Sequence, residues 1–406
     1  MEVTLLWTVL GAYAVLVAGW WFRHVVISLL RPLGLYVDPS DEPPESARVT
    51  LVIPAKNERE RIRPCIETLM KQGPVIEEII VVDDRSDDGT GDFVREIAGD
   101  DTRVRVIRVD TLPEGWSGKT HACYVGGCAV KTDWVLFTDA DTSFLPGGVA
   151  GALRYAEQRD VEMLSLWVRV DHRSFWEHVI IPLAGAVLVN WFLPHKVNNP
   201  KSKIAYASGQ FILMQKQAYD RIGGHSCVKN TIIEDVPMAQ CAKRAGLRLR
   251  VAMGPDVMAT RMYTCWREIA SGWRRIFIGA LQRPWRVLVS VVPLTTGSLL
   301  PSVGAPLAAL DVALHGLPAP GMQLAFYVLL WLHFVAVYTV MYRLLRFGHC
   351  DTRYLLFYPV SVVVVIWMLL DAWWWMVSGN EIVWRGSVTG PAAAGAEVQT
   401  DAVPIG

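Results

Sequence analysis

Asp139 and Asp141 stand one residue apart at the end of the apolar run Trp134 to Thr138, in the string WVLFTDADT. A buried strand that delivers two carboxylates to its exposed tip makes a hard-cation site, because ions such as Mg2+ take oxygen ligands. A divalent metal held in this way is suited to a diphosphate, whose charge it offsets. In a chain that also carries membrane-grade apolar segments, the pair points to chemistry on a nucleotide-activated substrate at a membrane.

The elements that must position these carboxylates are legible from Pro43 to about Gly254, where short apolar runs alternate with amphipathic stretches. Val49 to Pro54 reads as a strand, Glu58 to Lys71 as a helix, Ile76 to Asp83 as a strand, Gly91 to Ala98 as a helix and Val104 to Val109 as a strand. Such alternation predicts a parallel or mixed sheet covered on both faces. Ligands of these sheets bind at the carboxyl ends of the strands. Lys56-Asn57-Glu58, Asp83-Asp84-Arg85-Ser86 and Asp139 to Asp141 all fall at strand ends, so one crevice collects them.

At 406 residues and 52% hydrophobic, the chain is too apolar for an ordinary soluble protein. Lys+Arg and Asp+Glu balance at 39 each, and nothing in that charge favours nucleic acid. The seven cysteines are scattered without redox or zinc spacing and read as reduced thiols. Thr4 to Leu30 is long enough to cross a bilayer, which takes about 20 residues. It lacks the leading positive charges of a cleaved signal peptide. Arg23 and Arg31 follow it and place the next domain in the cytoplasm, with the amino terminus outside. Three more spans are expected at about Val287 to Leu314, with Pro293, Pro301 and Pro306 inside it, Leu324 to Leu345 and Leu355 to Val377. Arg343, Arg346, His349 and Arg353 put the last loop in the cytoplasm. Four crossings and an outward tail follow, unless the proline-laden segment is a short hairpin. The resulting organisation is an anchor and linker over 1–42, a cytoplasmic domain over 43–285, a membrane region over 286–378 and a tail over 379–406, disordered from Gly390.

From Leu51 to about Gly279 the chain resembles the family 2 glycosyltransferases, and most closely their membrane-bound, lipid-modifying branch, which includes ceramide glucosyltransferase-like, hopanoid-associated and carotenoid glycosyltransferases. The resemblance rests on VIPAKNE at Val52 to Glu58, VVDDRSDDGT at Val81 to Thr90, GWSGK at Gly115 to Lys119 and TDADT at Thr138 to Thr142. ASGQFILMQKQAYDRIGGH at Ala207 to His225 and IIEDVPMA at Ile232 to Ala239 complete it. It implies an α/β fold of the GT-A type, a Rossmann-like mixed sheet flanked by transmembrane helices.

The resemblance also implies roles. Pro54, Ala55, Asn57, Glu58 and Asp84 would hold the base and ribose of a nucleotide sugar, with Asp84 accepting hydrogen bonds, although Asp83 to Ser86 also reads as a solvated turn with a helix cap. Lys119 would reach the nucleotide or its phosphates. Asp141 would be a direct ligand of Mg2+ or Mn2+, with Asp139 a ligand or nearer the ribose. Asp235 would be the base that takes the acceptor's proton, a position that is equally a helix start, with Glu234 beside it. Acceptor-side candidates are Gly209, Gln210, Glu234, Trp273, Arg274 and Arg275. Phe175 to Leu193 reads as an interfacial segment or a buried core helix, and Trp266 to Arg275 as a stretch against lipid headgroups or gripping the diphosphate.

Processive polymer-making members carry Gln, two residues, Arg, Trp, whereas here Gln282-Arg283-Pro284-Trp285 displaces the arginine. The expectation is an inverting transfer of one sugar from a UDP-linked donor to a lipid hydroxyl on the cytoplasmic face. Transfer to polyprenyl phosphate, polysaccharide synthesis and a non-catalytic membrane scaffold are the alternatives.

Overall fold

A computed structural model describes residues 2–29, 33–40, 42, 47–229, 231–380, 382–384 and 387–389. The expected domain start at Pro43, the charge of Arg31 and the tail from Gly390 lie outside the described residues. Eight strands form one sheet: β1 (Val49–Ala55), β2 (Ile76–Asp84), β3 (Val104–Val109), β4 (Trp134–Phe137), β5 (Thr142–Phe144), β6 (Met163–Val170), β7 (Ile212–Gln215) and β8 (Leu249–Thr260). Their order is β3-β2-β1-β4-β7-β6-β8-β5. β1 pairs in parallel with β2 and β4, while β7 runs antiparallel to β4 and β6, so the sheet is mixed. β1 and β4 are near-continuous apolar runs because helices cover both of their faces.

The direction of the windings reverses at β1. The chain goes from β1 to β2 on one side and comes back to β4 on the other, and such a switch point opens a crevice at the carboxyl ends of the strands. Phe137 of β4 pairs with Ile212 of β7, so Ser208 to Phe211 enters the sheet beside the β4 tip. Asn57, Asp84, Asp139 and Gly209 thereby share one end of the sheet.

The helix expected from Glu58 starts later, at Arg63–Met70. Glu58 to Ile62 forms a turn, with the Arg61 and Ile62 amides donating to the Glu58 carbonyl at 2.9 Å. Pro64, in the first helical turn, needs no donor there and disfavours helical geometry before it.

Among the described residues, five helices are long and apolar enough to cross a membrane: Thr4–Ser28, Phe175–Val197, Pro284–His315, Met322–Phe347 and Thr352–Ser378. The segment with Pro293, Pro301 and Pro306 is one continuous helix rather than a hairpin. It widens into a π-helical stretch at Thr295–Leu299, just beyond Pro293, whose missing N–H breaks the regular ladder. The helix Phe175–Val197 leaves β6 and returns to β7, and Met163 of β6 pairs with Met214 of β7. A single crossing would put those paired strands on opposite sides of a bilayer, so four of the five helices are consistent with crossings. One apolar core fills the sheet face against the helices Arg63–Met70 and Gly148–Gln158. The other runs from Val52 and Ile80 through Ile180 and Leu188 to Val362 and Met368 of the last span. Sheet and membrane helices therefore share a core.

Candidate active site

The β4 tip is fixed from several sides. The Thr138 hydroxyl donates to the Gln210 carbonyl at 2.8 Å, and the Thr142 hydroxyl to the Asp139 carbonyl at 2.8 Å. The Asp141 carbonyl accepts from the Arg261 amide at 3.3 Å, which ties the turn to the end of β8. Cys65 packs beneath, and burial pushes its thiol up to about 12, so it stays protonated.

Lys119 lies in the first turn of the helix Gly118–Ala129, whose Ser117 side chain caps the Thr120 amide. Its ammonium sits 2.6 Å from Asp139 Oδ1 and 2.7 Å from Glu234 Oε1. Burial works to lower the lysine's proton affinity, but Asp139 and Glu234 outweigh it and hold Lys119 well above the ordinary range. Burial likewise pushes Glu234 up, and Lys119 reverses this and keeps Glu234 ionised. Asp235 opens the helix Asp235–Arg244, and its Oδ2 accepts the Gly209 N–H at 2.9 Å. Burial, then the Glu234 charge, push Asp235 up to about 6.

Gly209 completes the cluster because it lacks a side chain. A Cβ there would lie 2.8 Å from Glu234 Oε1, 3.3 Å from Lys119 Nζ and 3.5 Å from Asp235 Oδ2. Gly118 plays the same part toward β2, where a Cβ would lie 2.4 Å from Asp84 Oδ2. Asp84 itself accepts two hydrogen bonds from Arg85, at 2.7 and 3.0 Å. Asn57, in a left-handed conformation (φ 54°), receives the Asp87 amide at 3.0 Å, and the Glu58 amide reaches Thr90 Oγ1 at 3.0 Å. Pro54 and Ala55 end β1 beside this loop.

Lys119, Asp139, Gly209, Glu234 and Asp235 are thus brought together, and Asp84 adjoins them through Gly118. Glu234, expected on the acceptor side, is engaged by Lys119. Trp273, Arg274 and Arg275 lie on the helix Trp266–Leu281. Trp273 is buried against Phe277, with ring centroids 5.4 Å apart. Arg274 pairs with Asp371 of the helix Thr352–Ser378 and lies over Trp375. One buried neighbour of Asp235 was not picked out by the sequence reading. Tyr206 is buried close enough to Asp235 for that charge, after burial, to push its phenol up, and its ring stands 5.6 Å from Trp167. Its position immediately before the string Ala207-Ser208-Gly209 was the available signal.

Residues 50–223 match the family model described as Glycosyl transferase family 2. They are a family 2 glycosyltransferase domain. Over 344 residues the chain is 25% identical to the 4,4'-diaponeurosporenoate glycosyltransferase of Staphylococcus aureus strain USA300, covering 83% of this chain and 87% of that one. The enzyme of the same description from strain MRSA252 is 28% identical over 262 residues, 63% of this chain and 68% of that one. Among solved structures, a mannosyltransferase from Pyrobaculum calidifontis in complex with GDP-Man and Mn2+ aligns with a TM-score of 0.43 at 19% identity, over 80% of this chain and 97% of that one. Glucosyl-3-phosphoglycerate synthase from Mycobacterium tuberculosis, in complex with Mn2+ and UDP-glucose, aligns with a TM-score of 0.41 at 18% identity, over 61% and 84% of the two chains.

Among the described residues, no group of three or more His, Cys, Asp or Glu side chains is gathered as a metal cage. The chemistry of the donor set nevertheless fits Mg2+ or Mn2+. Asp139 and Asp141 are hard oxygen donors on one tight turn, and Mg2+ is commonly held by one or two carboxylates plus substrate phosphates and water.

Proposed function

We propose that this protein is a membrane-bound inverting glycosyltransferase that moves one sugar from a UDP-linked donor to a membrane lipid at the cytoplasmic face. The observation that carries the proposal is the cluster in which Lys119 joins Asp139 to Glu234 while the Gly209 amide holds Asp235. The base and ribose lie along Pro54, Ala55, Asn57, Glu58 and Asp84 at the ends of β1 and β2. Asp139 and Asp141 hold Mg2+ or Mn2+, which supplies Lewis-acid neutralisation of the departing diphosphate. Lys119 adds a compact positive charge at the same place. Asp235, with one oxygen held by Gly209, takes the proton of the acceptor hydroxyl, and its raised proton affinity suits a base working near neutral pH. A base separate from the leaving-group side is what direct inversion needs.

The acceptor is a carotenoid-type lipid, as the name of the staphylococcal relative suggests. That name ends in "-oate", a carboxylate, and favours a second reading in which the attacking oxygen is already ionised and needs no base. Retinol and retinoic acid present one polyene chain with either group. Purified protein with Mn2+ and a panel of UDP-sugars should glycosylate at least one of them, giving a product with one sugar. Absence of any donor turnover would leave the scaffold reading, and long products would mean a polymerase. With retinol, Asp235→Asn should lower the rate by about 10²- to 10⁴-fold at unchanged UDP affinity. If only retinoic acid reacts, and the variant transfers to it at an undiminished rate, the base assignment fails.

A further inference from the structure

The site is bordered by large aromatic side chains that the transfer chemistry does not use. Phe175 and Trp176 begin the helix that follows β6, and Trp266 begins the helix that follows β8. Both helices therefore start at the end of the sheet that carries Asp139 and Asp141. The Trp176 and Trp266 rings stand 5.2 Å apart, and Trp266 stacks at 5.8 Å and 26° on Trp367 of the last span. Phe175 meets Trp176 at 5.1 Å and Phe357 at 5.0 Å. These rings pack on one another yet stay open, with Trp176 and Trp266 each 37% exposed and Trp367 48% exposed.

Two ion pairs seat this surface at the mouth of the site. Arg61, in the turn after the nucleotide-side Glu58, pairs with Glu268 at 3.2 Å, two residues beyond Trp266. Arg261, whose amide holds the Asp141 carbonyl, pairs with Glu177 at 3.1 Å, next to Trp176. The aromatic surface thus runs from the last long apolar helix to the starts of two helices whose first turns are ion-paired to the loops flanking the donor site. Aromatic rings stack offset or edge-on against flat π systems and apolar chains.

We infer that this surface binds the extended polyene chain of the acceptor and leads its reactive end from the bilayer to Asp235. The inference rests on the carotenoid-type acceptor proposed above. Its occupant is the acceptor chain; service as a membrane-interface anchor alone is the competing role that the test decides.

The test compares the enzyme with a Trp176→Leu, Trp266→Leu double variant in detergent. Binding is read without turnover, by energy transfer from tryptophan to retinol. Turnover is read with retinol against hexa-2,4-dien-1-ol, which carries the same hydroxyl on a chain too short to reach along the surface; retinoic and hexadienoic acids replace them if only carboxylates react. The expected result is an approximately tenfold weaker retinol affinity and an approximately tenfold loss of preference for the long acceptor, largely restored in Trp176→Phe, Trp266→Phe. Retinol binding and chain-length preference matching the parent enzyme would overturn the inference, as would equal losses with both acceptors. Retinol binding that needs the tryptophans, without transfer to any polyene, would overturn the proposed acceptor chemistry and leave the binding surface standing.

Discussion

At the scale of residues, Lys119 and Asp235 carry opposite electrostatic fates within one cluster. Asp235 binds its proton more tightly in the folded protein than an ordinary carboxylate, whose value is about 3.9. Its contribution to stability is therefore present below that value and is lost as pH rises through about 6. In the proposed role of Asp235 as base, the same shift would set the acid side of catalysis. With a hydroxyl acceptor, kcat/KM should fall about tenfold per unit below pH ~6, whereas a carboxylate acceptor should show no limb from this group. A pH profile of kcat/KM checks this. Asp141→Ala should weaken Mn2+-dependent UDP binding in calorimetry, and unchanged metal and UDP affinities would remove it from the ligand set. Lys119→Met leaves Asp139 and Glu234 facing one another without a cation and should lower transfer by about 10²-fold. Lys119→Arg should restore only part of it, because a planar guanidinium is not a point charge. The sequence made the strand-end carboxylates visible because Asp84, Asp139 and Asp141 each close an apolar run whose strand character is clear. It did not show that Lys119 would bridge two of them, since that contact joins residues 115 positions apart through the sheet topology. The placement of Arg274 on Asp371 was hidden for the same reason, as the partner lies 97 residues downstream in a membrane helix.

At the scale of elements, the strands before residue 110 were legible nearly to the residue, because buried parallel strands are short apolar runs bounded by polar clusters. The helix after β1 was placed too early, since Glu58 to Ile62 has helical composition but its amides serve a turn and the Thr90 hydroxyl instead. Periodicity also left Phe175 to Leu193 open between interface and core. Its start is set by Ser174 and Glu177 in a reciprocal capping box, and Glu177, fully buried, also receives Arg261. Glu177→Gln keeps the shape but leaves Arg261 without its counter-charge. The expected cost is about 3 kcal/mol, with a lowered thermal midpoint in detergent. A variant as stable as the parent would show that this helix is anchored by its apolar packing alone.

At the scale of the whole molecule, composition announced a membrane protein, and the positions of four long apolar segments agree with helices found in the structure. The fifth such helix shows the limit of hydropathy, which measures length and apolarity but not where the two ends of a segment must meet. Four crossings and a cytoplasmic catalytic domain make a testable arrangement. Cys128 is exposed on the sheet domain. A membrane-impermeant maleimide should label it in inverted vesicles and leave it unlabelled in intact cells, and labelling in intact cells would reverse the orientation. The core shared by the sheet and the last span bears on how the enzyme can be handled. Deleting the carboxyl-terminal helices to obtain a water-soluble fragment would bare Ile180, Leu188 and their neighbours to water and strip Arg274 of its Asp371 partner. Preparations should keep every helix and solubilise the chain whole, because this catalyst has no seam along which it can be cut.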